Sequence, residues 1–376
     1  MSDVYDRLRV KKIINAAGTV TVYCGALMPP QVLAAMAEAA RHHVVLAELH
    51  EKAGKRIAEL IGVEAAYVSA GAAAGLVLAT AALIAGKDPV KMDRLPDTTG
   101  MKNEVILHKC QRMGYDPALR RTGAKLVEIG TAMRTQPWEM KTAINERTAF
   151  CFYAPGHNDD VALPFEVFRD IAKAHNLPIL VDNAAEVPPA SNLRLWTDLG
   201  ADLVVVSGGK GIRGPQAAGL ILGRKDLIEA CAANGNPNHF IGRPMKVGKE
   251  EIVGMVTALE LYLSDISQRE QAIWEGMVAY ILDQLRDVPR IRAWRHFPYR
   301  PTCQVPLVVV AFEDGFGLTC AEVMDKLNQG EPPIYCGSPV GYGYPRDRGL
   351  IINPHAMLEG QEVVVARRLR EVFLRQ

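Results

Sequence analysis

The chain has 376 residues, 49% hydrophobic and 23% charged, enough for about two to three domains whose cores need no covalent staple. A net charge of +1 supplies no field for nucleic acid or an anionic membrane. Seven scattered cysteines without a CxxC pair and nine histidines without HExxH spacing argue against a disulfide frame and a metal site, and suggest a reducing cytoplasm.

The opening MSDVYDRLRVKK lacks the apolar core of a signal peptide. The first 45 residues, with PPQVLAAMAEAARHH as one helix, are expected to form an arm packing on a small C-terminal domain. HEKAGKRIAELIGV carries Ala53, Ile57, Leu60 and Ile61 at helical spacing. AAYVSAG is a short strand entering a glycine turn, followed by the Ala-rich helix AGLVLATAALIAG. Ser69 and several glycines interrupt that window, so it is no membrane span. Residues 87–102, rich in Pro, Gly and Asp, read as a surface loop.

EVILHK is a strand, DPALRRTGA a short helix, and KLVEIG and TAFCFYAP are strands. PFEVFRDIAKAHN is a helix with Pro164 near its first turn. LPILVDNA and ADLVVVSG are continuously apolar strands, and QAAGLILG returns to the sheet. After Arg243 two long helical segments, KEEIVGMVTALELYLSD and QREQAIWEGMVAYILDQLRD, lead into the strand QVPLVVVAF. The helix TCAEVMDKLNQG, a short strand PPIYC and a final helix follow.

Strands apolar throughout and separated by helices predict an α/β fold with a mostly parallel sheet covered on both faces. The expected bounds are an arm over 1–45, a large domain over 46–245 and a smaller α+β domain over 246–376. In such sheets ligands sit off the carboxyl ends of the strands. Three chemistry-bearing pieces fall there: Ser69–Gly75, Asp182, and the run LVVVSGGKGIRGPQAAG with Lys210 at its centre.

A lysine leaving a buried strand among glycines suits an amine nucleophile toward carbonyls. An aspartate at the end of another buried strand suits a pyridinium nitrogen. Together they are the two poles of a pyridoxal phosphate site. The small residues of SAGAAAG let backbone N–H groups approach an anion at a helix N-terminus, with Gly71, Ala72 and Ala73 as expected donors. The Ser69–Gly75 loop carries neither GxxxxGK[ST] nor GxGxxG, which disfavours a nucleotide site there. Ser207 could add a hydroxyl to the same phosphate, and Ala184 is small enough for a ring to lie against. The opposite face of that ring falls to His108 or Gln111. Arg243 and Lys246 are candidates for the phosphate, across a subunit boundary. Arg134, Arg346 or Arg348 is expected to hold a substrate carboxylate, and His50 and Tyr23 are candidate acids for a leaving group.

The runs INAAGT (14–19), ELHEKAGKRIAELIGVEAAYVSAGAAAG (48–75), VDNAAEVPP (181–189), SGGKGIRGPQAAGLILGRKDLI (207–228) and GRPMKVGKEEIVGMVTALE (242–260) resemble the selenocysteine-synthase-like branch of fold-type-I pyridoxal phosphate enzymes. Within it the similarity is closest to the D-glucosaminate-6-phosphate ammonia-lyase type. The resemblance implies an aminotransferase-like large domain with a seven-stranded type of sheet, a smaller C-terminal domain, and homodimers or higher assemblies with shared sites. It matches Lys210 to the Schiff-base lysine, Asp182 to the ring-nitrogen aspartate and the glycine–alanine loop to the phosphate cup. The implied reaction is α,β-elimination of a β-hydroxy or sugar-derived amino acid, giving a 2-oxo acid and ammonia. Alternatives are a racemase or epimerase, an aldolase, a selenium transferase on seryl-tRNA, or a cofactor-binding protein without turnover. The loop reads SGGKGIRGPQ rather than SGDKLLGGPQ and the chain starts almost at INAAGT, so aminoacyl-tRNA is not the expected substrate.

Overall fold

A computed structural model describes residues 3–156, 158–338 and 347–374. The chain opens with α1 (Val4–Leu8), β1 (Ile14–Ala16), α2 (Pro30–Ala39) and α3 (Leu46–Ile61). Next come β2 (Ala65–Ser69), α4 (Ala72–Ala85), α5 (Pro89–Arg94), β3 (Glu104–His108), α6 (Asp116–Arg120), β4 (Lys125–Ile129) and α7 (Pro137–Ala143). β5 (Thr148–Tyr153), α8 (Phe165–Ala174), β6 (Ile179–Asp182), α9 (Asn192–Asp198), β7 (Leu203–Ser207) and β8 (Gly219–Gly223) complete the central layer. α10 (Lys225–Asn234), α11 (Lys249–Leu261), α12 (Ser267–Leu285), β9 (Ile291–His296) and β10 (Leu307–Phe312) follow. The last elements are α13 (Cys320–Asn328), β11 (Ile334–Cys336), β12 (Gly349–Ile352) and α14 (Gln361–Leu374).

Seven strands form one sheet in the order β2-β8-β7-β6-β5-β3-β4. Only β8 runs against its neighbours; the other registered pairs are parallel. Strands β3, β5, β6 and β8 are buried at every position, as sequences apolar on both faces require. Alternation divides the side chains between two cores. Val68, Ile106, Cys151, Ile179, Val181 and Val204 face α3, α8 and α11. Tyr67, Val105, Leu107, Leu180, Leu203 and Val205 face α4 and α10. Helix α8 buries Phe165, Phe168, Ile171 and Ala172 on one stripe, and truncating the fully buried Phe168 would cost about 3–5 kcal/mol. Helix α4 is apolar all round, with ten of its fourteen residues buried, which explains why it reads like a span yet belongs to a packed layer. No described helix is long and apolar enough to cross a membrane.

The chain divides into two compact units, residues 28–264 and residues 1–27 with 265–376. The expected bounds at 45/46 and 245/246 therefore move. α2 belongs with the larger unit because it packs on α11, where a Cβ on Gly254 would meet Met36 of α2 at 2.8 Å. α11 buries Ile252, Met255, Ala258 and Leu259 in the same core as Ile57. The helical path breaks at Ser264, whose backbone is extended (ψ −164°). In the smaller unit β1 pairs in parallel with β11, while β12-β10-β9 form an antiparallel sheet over α12, α13 and α14.

Two of the departures from expectation have a local cause. The stretch expected as a loop over 87–102 contains α5, started by Asp88, which accepts from the N–H groups of Val90 and Lys91, with Pro89 at the first helical position. β9 was hidden because Arg292, Arg295 and His296 mask the alternation of an edge strand.

Candidate active site

Ser69, His108, Asp182 and Ser207 are the last residues of β2, β3, β6 and β7. Ser69 and Ser207 flank Gly219 from either side in register. Side-chain alternation sends Asp182 to the face of Leu180, Ser207 to that of Val205 and Ser69 to that of Tyr67, all toward α4. His108 shares the face of Ile106, toward α8. Parity alone thus separates His108 from the aspartate.

Asp182 is 8% exposed. The Ala184 N–H donates to its Oδ1 at 3.1 Å, and its Oδ2 accepts no hydrogen bond among the described residues. Burial pushes its carboxyl up to about 6; the Ala184 N–H and the Lys210 charge oppose this, and the Glu186 charge adds to it. Lys210 is half-buried in a loop closed by three backbone bonds: Gly208 N–H to Ala218 O (2.9 Å), Gly214 N–H to Gly208 O (2.8 Å) and Arg213 N–H to Lys210 O (2.9 Å). A Cβ on Gly211 would lie 2.2 Å from Val187 O, so glycine is what lets the lysine loop abut the loop after β6.

Gly71 caps α4 at φ +87° without any side-chain cap. Its own N–H is taken by Ser69 O (2.9 Å), and Ser69 Oγ donates to Gly71 O (3.0 Å). The expected donor set Gly71, Ala72, Ala73 is therefore corrected: the free N–H groups of the first turn are those of Ala72, Ala73 and Ala74. A Cβ on Gly219 would sit 2.7 Å from Gly71 C and 2.8 Å from Ala72 N, so its bare backbone lets the helix begin against the sheet. Ser207 is half-buried, with no hydroxyl hydrogen bond to a described residue, and Ala184 is half-buried beside Asp182.

The expected ring partners are not free. His108 is fully buried; the Leu163 N–H donates to its Nε2 at 3.1 Å, so its Nδ1 carries the proton and donates to Gln111 Oε1 at 3.1 Å. Burial pushes it down to about 4, and its ring packs 5.0 Å from Phe168 and 5.6 Å from Tyr153. Gln111 Oε1 also accepts the Ala154 N–H (3.2 Å), and its Nε2 donates to Asp159 Oδ1 (3.3 Å). Both side chains are spent tying the loop after β3 to the loop after β5.

The other expected residues are dispersed. Arg243 and Lys246 are exposed on the segment between α10 and α11. Arg134 is exposed on the loop after edge strand β4, three strands from β6. His50, on α3, stacks on Tyr67 (4.7 Å, 9°); both its nitrogens are buried without a hydrogen bond, and burial pushes it down to about 4. Tyr23 belongs to the smaller unit, its ring 4.7 Å from that of Tyr335. Arg348, in the same unit, pairs with Asp314 at 2.8 Å, and Arg346 lies outside the described residues.

Sequence reasoning missed the frame around Asp182. Trp196 Nε1 donates to Asn183 Oδ1 (2.9 Å), Asn183 Nδ2 to Asn192 O (2.9 Å), and Asn192 Nδ2 to Glu186 O (2.6 Å). The signal was present in polar DNAAE following an apolar strand. Among the described residues no group of three His, Cys, Asp or Glu could hold a metal. A buried carboxylate with an unused oxygen, a lysine within its field, a free hydroxyl and an uncapped helix N-terminus fit pyridoxal phosphate. Asp182 could take the ring nitrogen, Lys210 the aldehyde, and Ala72–Ala74 with Ser207 the phosphate.

The family model described as SelA, L-seryl-tRNA selenium transferase, matches residues 13–295. D-glucosaminate-6-phosphate ammonia lyase of Salmonella typhimurium is 33% identical, over 98% of each chain. A 5'-C-glycyluridine monooxygenase-decarboxylase of a Streptomyces species is 31% identical, over 98% of this chain and 92% of that one. L-seryl-tRNA(Sec) selenium transferase of Mannheimia succiniciproducens is 28% identical, over 74% and 62%. A solved D-glucosaminate-6-phosphate ammonia-lyase superposes with a TM-score of 0.86 at 30% identity, covering 100% and 99% of the two chains. An aminotransferase from Bacillus subtilis superposes at 0.62 and 14% identity, over 97% and 93%, a likeness of fold alone. Taken with the buried aspartate and the glycine-bound lysine, these matches establish that the chain belongs to the SelA family of fold-type-I enzymes and is a pyridoxal phosphate-dependent carbon–nitrogen lyase.

Proposed function

We propose that the enzyme removes ammonia from a β-hydroxy or sugar-derived amino acid and releases a 2-oxo acid. The observation that carries the reading is Asp182, buried on the α4 face with one carboxylate oxygen unused and Lys210 within its field. Bound pyridoxal phosphate supplies a carbonyl for the substrate amine and an electron sink for its Cα.

The protein does the rest. Asp182 holds a proton on the heterocycle nitrogen, which a buried carboxylate with a free oxygen does at little further desolvation cost. The N–H groups of Ala72, Ala73 and Ala74 and the Ser207 hydroxyl hold the phosphate, with Arg243 and Lys246 adding cations. Lys210 Nζ takes the proton from the substrate Cα. The Cβ–O bond then breaks and the hydroxyl leaves as water, taking the proton that Lys210 removed from Cα. Water later adds at Cα and the amine departs, so the balance is loss of one ammonia.

A second copy of the chain is part of this reading. Val20 and Val22 in the smaller unit, and Leu33, Val44 and Val45 in the larger, are exposed apolar side chains of the kind homo-oligomers cover. Seven free cysteines, six of them buried, favour a cytoplasmic setting.

The test is a panel of L- and D-β-hydroxy and sugar-derived amino acids, read as 2-oxo acid release and as deuterium exchange at Cα. Oxo acid and ammonia in equal amounts support elimination; exchange without oxo acid moves the assignment to a racemase. The monooxygenase-decarboxylase relative makes oxygen uptake the necessary control, because consumption of oxygen with release of carbon dioxide would replace the reading. Lys210→Ala should lower turnover at least about 1,000-fold and remove the borohydride-reducible cofactor band.

A further inference from the structure

The turn that carries Lys210 carries a second cation that the proposed mechanism does not use. Residues 208–215 are all buried except Lys210 and Arg213, which are half-buried. The residues around these two are pinned. Ile212 is 2% exposed in the core that holds Val187 and Met255. A Cβ on Gly211 would meet Val187 O at 2.2 Å, and one on Gly214 would lie 3.2 Å from Gly208 O. The Arg213 N–H donates to Lys210 O at 2.9 Å, which closes a four-residue turn and holds the two Cα atoms within about 7 Å of each other. At φ +56° Arg213 stands in the left-handed region, where a Cβ is disfavoured and glycine is at ease. Glycine fills this place in a loop of the type SGDKLLGGPQ, whereas SGGKGIRGPQ puts an arginine in it. A long cationic side chain kept against its backbone preference, one turn from the proposed reacting lysine, points to a residue retained for what it binds.

We propose that Arg213 binds the α-carboxylate of the amino-acid substrate. This rests on the reading of Lys210 as the amine that carries the cofactor, and adds to it the residue that orients the substrate there. The substrate amine takes the place of the Lys210 nitrogen, and the α-carboxylate is bonded to the same carbon as that amine. The group that holds the carboxylate must therefore stand close to the lysine, whereas the distal part of a sugar-derived substrate extends away from it. Arg213 meets this condition by its place in the turn. A planar guanidinium grips a carboxylate through two parallel N–H bonds, which fixes the rotation of the substrate and so the direction of its Cα–H bond. The arginines expected from the sequence fit less well: Arg134 is exposed three strands from β6, and Arg348 is held by Asp314. A carboxylate beside the turn also offsets the repulsion of two cations placed within it.

The experiment uses the full chain loaded with pyridoxal phosphate and two reagents that attack its aldehyde carbon whatever the natural substrate. Aminooxyacetate carries a carboxylate and methoxyamine does not. Each forms an oxime carbon–nitrogen bond as the bond to the Lys210 nitrogen breaks and the lysine leaves as its amine, with no oxidation or reduction. Borohydride reduction and peptide mass first locate the adduct on Lys210 in the wild type and the variants. Second-order rates are then read from the cofactor absorbance, each divided by the rate with free pyridoxal phosphate, with cofactor affinity and circular dichroism melts alongside. The wild type should favour aminooxyacetate over methoxyamine by at least about tenfold. Arg213→Gly should lose that preference while keeping its methoxyamine rate, its cofactor affinity and its fold. Arg213→Lys, which keeps the charge without the fork, should retain part of the preference, and carries the test if the glycine variant does not fold. An undiminished preference in the folded variants, or none in the wild type, overturns the proposal. Loss of cofactor affinity with the preference intact overturns it as well and assigns the cation to the cofactor phosphate. Absence of the adduct from the wild type overturns the cofactor-site reading itself, a different result from an unchanged preference.

Discussion

The two faces of the central sheet each carry a buried titratable group at the end of a parallel strand, and they treat it in opposite ways. On the α8 face His108 has both nitrogens hydrogen-bonded and its ring enclosed by Tyr153 and Phe168. On the α4 face Asp182 has one backbone N–H and an unused oxygen. Burial drives both away from their ordinary values, the histidine down to about 4 and the aspartate up to about 6. Desolvation alone therefore does not distinguish structure from chemistry; completion of the hydrogen-bond set does. A finished network stiffens the loops, whereas an unfinished one leaves a place for a ligand.

The largest effect should come from Asp182→Asn. In the proposed site it removes the partner of the ring nitrogen and should lower kcat by about 100- to 10,000-fold. The same substitution should change cofactor-free stability in a definite direction. A carboxyl raised from 3.8 to about 6 contributes stability that is full below about pH 4 and lost as pH rises through about 6. The total is about 3 kcal/mol. In urea denaturation across this window, wild type minus Asp182→Asn should fall with rising pH; a flat difference would mean that the carboxylate is already compensated without a ligand.

His108→Leu sharpens the contrast from the other face. It leaves the Leu163 N–H without a partner and Gln111 Oε1 with only the Ala154 N–H, and should cost about 1–3 kcal/mol, while cofactor affinity changes little. The pH slope is reversed here. A histidine lowered from 6.5 to about 4 contributes stability that is present above about pH 6.5 and lost as pH falls through about 4. Wild type minus His108→Leu should therefore rise with pH where the Asp182 difference falls. A His108 variant that lost cofactor but kept its stability would dissolve the distinction between the two faces.

The same contrast explains what could be read from the chain itself. Unbroken apolar strands and glycine-bounded loops made the α/β layers, Lys210 and Asp182 legible, because each rests on a pattern within a few residues. The choice between His108 and Gln111 stays open in the sequence because the side of the sheet that His108 faces depends on strand register, set by pairing between β3 and β5 rather than by local sequence. Gly71 was counted as a donor because sequence shows a small residue but not that Ser69 O already occupies its N–H. Glu186 and Asn183 were passed over because their partners, Gly156, Asn192 and Trp196, come from other segments. The unit boundaries moved for a similar reason: α2 and α11 are distant in sequence and find each other only in the fold.

The smallest effects fall on two serines that bracket Gly219, and they bring the comparison down to one hydroxyl each. Ser69 is 1% exposed and donates to Gly71 O, holding the turn from which α4 starts. Ser207 occupies the matching place on β7, half-buried, its hydroxyl unbonded to any described residue. Ser69→Ala should therefore cost about 1 kcal/mol of stability in the cofactor-free protein, through the lost internal bond. Ser207→Ala should leave that stability within about 0.5 kcal/mol, since nothing inside the protein is broken. Its effect should appear only on loading, as a weakening of cofactor binding by up to about tenfold, one hydrogen bond to a charged group. Measured by fluorescence titration with pyridoxal phosphate and by urea melts without it, the two variants should exchange rank between assays. If Ser207→Ala instead destabilised the empty protein and left cofactor affinity intact, its hydroxyl would belong with the finished network of the opposite face.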